Sequence, residues 1–64
     1  MATASTLIEA GQRRSADDVQ PGLVVLLLRP VADMPWSWIC VDEQTGNKIP
    51  LHINNLGEEL PPAD

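Results

Sequence analysis

The chain has no phenylalanine, no tyrosine and a single cysteine in its 64 residues. One thiol, Cys40, excludes an internal disulfide, and one cysteine with one histidine, His52, excludes a four-ligand zinc site. Basic charge is also scarce: four Lys and Arg stand against nine Asp and Glu, a net charge of −5. Sequence-independent nucleic-acid binding needs a basic surface that displaces counterions, so the composition argues against it. Long apolar runs are missing as well. The longest, Leu23 to Leu28, falls far short of the ~20 residues that span a bilayer, so no membrane insertion is expected. The first residues, Met1 to Thr6, lack the basic start and apolar stretch of a secretory signal. An unpaired thiol without an export signal points to a reducing, cytoplasmic setting. No pattern identifies a substrate, a reaction or a cofactor.

What is present is a small apolar middle between polar or small-residue ends. The apolar residues concentrate between Val19 and Leu56. A chain of this length is one domain at most, near the lower limit for an unassisted fold. Disulfides and metal being excluded, association with a partner is the expected source of extra stability.

Residues 1–14 read as a flexible arm or a short helix. Thr6 and Glu9 have capping-box spacing, with Ala4, Leu7 and Ile8 on one helical face, but Gly11 cuts the pattern short. Ser15 to Gly22, ending in Pro21-Gly22, is turn chemistry. Residues 15–57 form the expected small β domain. Its first strand, Leu23 to Arg29, is apolar at each position before Arg29 and so is covered on both faces. Pro30 ends it, and Pro30 to Pro35 reads as a connector. A second strand follows through Trp36-Ser37-Trp38-Ile39-Cys40-Val41, then a turn, then a third strand in which Ile49, Leu51 and Ile53 alternate with Lys48, Pro50 and His52. Pro50 has no ladder donor, which makes the third strand an edge. Asn54-Asn55-Leu56-Gly57 is a short turn that tucks Leu56 back, and residues 58–64 are an acidic, Pro-containing tail. The expected class is therefore mainly β: a small antiparallel three-stranded sheet or partial barrel with flexible termini.

This order of apolar strand, loop, strand, tight turn, strand and returning leucine resembles the small SH3-like barrels over residues 19–56, in architecture alone. The resemblance implies a binding scaffold and no particular function. A full barrel of that kind has five strands where the sequence offers three, so a layer from outside is expected.

The length of the turn after Val41 decides where both tryptophans point, because a one-residue shift exchanges the faces of a strand. With a four-residue loop, Glu43 to Gly46, Cys40 lies opposite Ile49, Trp38 opposite Leu51 and Trp36 opposite Ile53, and the tryptophans are buried. With a three-residue loop, Gln44 to Gly46, they join Lys48, Pro50 and His52 on the other face. The run Asp42-x-x-Thr45-Gly46 favours the longer loop, since Asp42 can accept turn N–H groups and Gly46 can take the left-handed position. In either register apolar side chains remain on both faces, and uncovered apolar surface marks an interaction site. The candidate contact residues are Ile39, Val41, Pro50 and His52 on the second face, Leu23 and Val25 on one face of the first strand, and Trp36 and Trp38.

Chemistry is less well supported. Ser37 lies opposite His52 in the longer-loop register, but no orienting carboxylate or oxyanion pocket accompanies them, so an enzyme is not expected. Cys40 reads as a small buried hydrophobe. The expected function is that of an acidic accessory or regulatory protein bound to a larger protein or multisubunit assembly, or to itself as a homodimer. One alternative is an acidic inhibitor that mimics nucleic acid through Asp17, Asp18, Asp42, Glu43, Glu58 and Glu59. Another is an oligonucleotide-binding module that stacks bases on Trp36 and Trp38.

Overall fold

The computed structural model describes residues 8–62. Five strands follow one another: β1 (Arg13–Ser15), β2 (Val24–Val31), β3 (Met34–Asp42), β4 (Lys48–His52) and β5 (Glu59–Leu60), with a 3-10 helix, Ile53–Asn55, after β4. They form one antiparallel sheet in the order β4-β3-β2-β1-β5. The domain is mainly β, as expected, but the three strands read from the sequence are joined by two more. Arg13 and Arg14, assigned to the arm, belong to β1, and Glu59–Leu60, assigned to the tail, is β5. The helix expected around Thr6 begins outside the described residues, as do Ala4 and Leu7; Ile8 packs against the core.

The core lies on one face of the curled sheet. Ala16, Leu23, Val25, Leu27, Cys40 and Leu51 are buried, with Ile8, Trp38, Ile49 and Leu56 packed against them. Along β2 the alternation of buried Val25 and Leu27 with half-buried Val24, Leu26 and Leu28 separates an inner from an outer face. Leu56 does tuck back, and β1 and β5 supply much of the layer that three strands lacked. Gly57 joins the 3-10 helix to β1, donating its N–H to the Ser15 carbonyl at 2.7 Å, and Ser15 donates in turn to the Glu58 carbonyl at 3.2 Å.

The β3–β4 turn takes the four-residue form. Cys40 pairs with Ile49, Ile39 with Pro50 and Trp38 with Leu51. The Asp42 carboxylate accepts the Gln44 N–H at 2.8 Å, and the Asp42 carbonyl accepts the Gly46 N–H at 2.7 Å. Gly46 has φ +78°, a conformation that only glycine adopts without strain. Because Asp42 and Asn47 are hydrogen-bonded across this turn, the alternation of an antiparallel ladder makes Ile39–Pro50 a non-hydrogen-bonded pair. Pro50 therefore directs its missing donor outward, and β4 is the sheet edge that proline predicts.

The connector expected over Pro30 to Pro35 is instead a tight hairpin. Strand β2 continues to Val31, a turn covers Ala32 and Asp33, and β3 starts at Met34. Pro30 fits inside β2 because β1 pairs only with Val24 to Leu26, leaving that side of β2 without a strand neighbour. Register irregularities between Leu27 and Arg29, and beyond Pro30, absorb the extra residues.

Candidate interaction surface

The register gathers four of the expected contact residues on one surface. Ile39, Val41, Pro50 and His52 occupy outer positions of β3 and β4, each opposite or adjacent to another. Leu26 extends this face across β2, since it pairs with Val41, and Arg29 joins it through its pairing with Ile39. Ile39, Val41 and Leu26 are half-buried, while Pro50, His52, Lys48 and Arg29 are exposed. At its β1 side this surface meets a groove that Leu26 lines with Arg13, Glu43, Leu60 and Pro62.

The remaining expected contacts are placed elsewhere. Leu23 (5% exposed) and Val25 (0%) belong to the core and cannot touch a partner. They are enclosed because the chain supplies its own cover from Ala16, Ile8 and Leu56, which the short β1 and β5 strands hold in place. The tryptophans part company. Trp38 packs partly buried against the core, whereas Trp36, expected to be buried with it, is 51% exposed. Trp36 sits past the end of the core, near the hairpin turn; Met34 on the same strand and Ile53 in the adjoining 3-10 helix are exposed too. With one ring held against the core, the pair does not offer two free stacking platforms.

The carboxylates offered for charge mimicry are partly committed to local structure. Asp17 accepts the Gly22 N–H at 2.9 Å, and Asp42 caps its own turn. Glu43 receives Arg13 in a bidentate pair, Nε at 2.7 Å and Nη2 at 2.8 Å, which holds its carboxyl below the usual carboxylate range. Arg13 also donates to the Pro61 carbonyl at 2.5 Å, tying β1 to the end of the described chain. Beside this pair lies a groove of about 220 Å³, lined by Gly11, Arg13, Leu26, Glu43, Leu60 and Pro62 among others. Sequence reasoning missed this ion pair and groove, because the partners are 30 positions apart and only the unread strands β1 and β5 bring them together.

Ser37 does pair with His52 across the ladder. The imidazole Nδ1 accepts the Asn54 N–H at 3.0 Å, capping the 3-10 helix. That nitrogen is thereby committed to the backbone rather than to Ser37. Cys40 is wholly buried, its Sγ 3.6 Å from the Trp38 carbonyl, and burial pushes the thiol up to about 11. Among the described residues no cluster of three or more His, Cys, Asp or Glu is placed to hold a metal ion, and no helix is long and apolar enough to cross a membrane. No known protein family, curated protein or solved structure matches the chain.

Proposed function

We propose that this protein is a small interaction module, an SH3-like five-stranded scaffold that docks on a larger cytoplasmic protein through the outer face of β2 to β4. The observation that carries the reading is the shared outer face of Leu26, Ile39, Val41 and Pro50, an apolar strip whose three aliphatic side chains are only half-buried. A sheet is stable when each apolar face is covered, and this chain uses its described residues to cover the inner one. Strand addition is the less favoured mode, since Pro50 removes one donor from the open edge of β4. The buried, unpaired Cys40 suits a reducing compartment.

A photo-crosslinking side chain placed at position 41 tests this in cells, with position 18 in the β1–β2 loop as the comparison. The expected result is one discrete protein adduct from position 41 and none from position 18. Adducts from position 18 alone would favour the charge-mimicry alternative, and adducts from neither would remove the interaction reading. A crosslink between two copies of the chain would identify the partner as itself.

A further inference from the structure

We infer that the segment received by this outer face is an acidic stretch of protein with apolar anchors; the inference rests on the interaction reading above. The net charge of −5 suggests the opposite, a basic partner, but the charge is unevenly placed. Of the four basic residues, Arg14 is buried and donates to the Gly57 carbonyl and the Gln12 side chain. Arg13 is engaged by Glu43 and the Pro61 carbonyl. The other two, Arg29 and Lys48, are exposed and make no ion pair among the described residues. Both stand on the outer face, as does His52, the sole histidine.

The pairing fixes their arrangement. Lys48 lies opposite Val41, Arg29 opposite Ile39, and Ile39 opposite Pro50, so the two cations border the apolar strip. They sit two strands apart, about 10 Å across the sheet. No outer-face position of β2, β3 or β4 bears a carboxylate. Asp42, the one acid within those strands, pairs with Val25 on the inner side. Two acids adjoin the strip at its β1 side, where Glu43 and Glu59 line the groove with Leu26. Glu43 is paired there with Arg13, so the unpaired cations Arg29 and Lys48 set the charge along the rest of the border. An apolar centre with a cationic border complements a segment that presents leucine-like side chains flanked by Asp or Glu. Neither tryptophan lies on this face, and its His52 ring is engaged by the Asn54 N–H, so it lacks the paired aromatic platforms of a nucleic-acid surface.

The test is an NMR titration of the ¹⁵N-labelled full chain at low salt with three synthetic helical peptides of equal length. Each carries Leu at i, i+3, i+4 and i+7, and the intervening positions are Glu, Lys or Gln. The expected result is saturable shifts of the Leu26, Ile39, Val41 and Lys48 amides with the Glu peptide, weakened by added salt. Charge reversal at Lys48→Glu should weaken binding about tenfold, with Lys48→Gln intermediate and both variants retaining the native amide spectrum elsewhere. Equal or tighter binding of the Lys or Gln peptide to those amides would overturn the inferred charge while leaving the docking face in place. Larger shifts from a single-stranded oligonucleotide would make nucleic acid the occupant instead. Shifts at those amides from none of the ligands would overturn this inference and the interaction reading together.

Discussion

Replacing Gly57 with alanine sets two effects of opposite sign against each other. Gly57 does not occupy the left-handed region, so alanine is allowed there. Loss of freedom in the unfolded chain would then favour the variant by about 0.4–1 kcal/mol. Against this, a Cβ on residue 57 overlaps the Ser15 Oγ and stands 3.3 Å from the Ser15 carbonyl oxygen. The hydroxyl must leave its rotamer to clear the added Cβ, which carries part of the cost. The carbonyl is held, because it accepts the Gly57 N–H at 2.7 Å while Ser15 donates to Glu58. Overpacking of this kind costs about 1–3 kcal/mol, which leaves a net loss of about 1 kcal/mol. In a domain of this size that lowers Tm by about 4–8 °C.

The companion variant Ser15→Ala removes the overlapping atom and keeps the carbonyl. Thermal melts followed by circular dichroism on both single variants and the double variant should show a restoring coupling of about 0.5–1 kcal/mol. The reasoning fails if Gly57→Ala by itself raises Tm, or if the two changes simply add. Either result would mean that residue 57 does not press on Ser15, and the pairing that brings β5 alongside β1 would be misplaced.

Further outcomes test other parts of the fold. His52→Ala should cost about 1 kcal/mol by leaving the Asn54 N–H without its cap, while His52→Asn should recover most of it in urea titrations. The Arg13 hydrogen bond, followed by its charge, holds Glu43 below the ordinary carboxylate range. Its contribution is therefore complete above a pH of about 4.3 and is lost as pH falls through the lower folded value. Glu43→Gln should flatten the stability profile in that acid window and leave the slope above it unchanged. Pro50→Thr restores a donor on the open edge of β4, so sedimentation should show concentration-dependent self-association absent from the parent. A thiol-disulfide reagent at pH 8 should leave Cys40 unmodified until denaturant is added, because the buried thiol is pushed up to about 11.

What was legible in the sequence was the part in which local chemistry is strong. Asp42, Thr45 and Gly46 determined the turn, the turn determined the register, and the register placed Ile39, Val41, Pro50 and His52 together. Pro50 marked the edge. The rest was hidden because its cause is tertiary. Arg13-Arg14-Ser15 and Glu59-Leu60 have neither alternation nor length to announce a strand; each is one only because the other and β2 are beside it. Leu23 and Val25 were read as surface for the same reason, since the layer that covers them depends on those silent strands. Trp36 failed in the other direction. Its expected partner Ile53 leaves the strand for the 3-10 helix, the β3–β4 pairing stops at Ser37 and His52, and the core ends before reaching Trp36. The extent of a core is not visible in an alternating pattern.

The contrast between the whole-chain charge and the charge of the outer face has a physical origin. Acidic side chains serve turns well: Asp17 and Asp42 accept backbone N–H groups at 2.9 and 2.8 Å. Most of the other described acids also fall in loops, so the net charge of −5 largely reflects how the connections are built. Arg14 is spent inside, on the Gly57 carbonyl that helps close β5 onto β1, and Arg13 on the link to Glu43 and Pro61. Once those structural uses are subtracted, the cations left are Arg29 and Lys48, beside the half-buried strip of Leu26, Ile39 and Val41. A surface is read by a partner over roughly one Debye length, about 8 Å at physiological salt, so the border of that strip weighs more than loop acids beyond that range. Local sign, and not the total, is therefore the property by which this face would select what covers it.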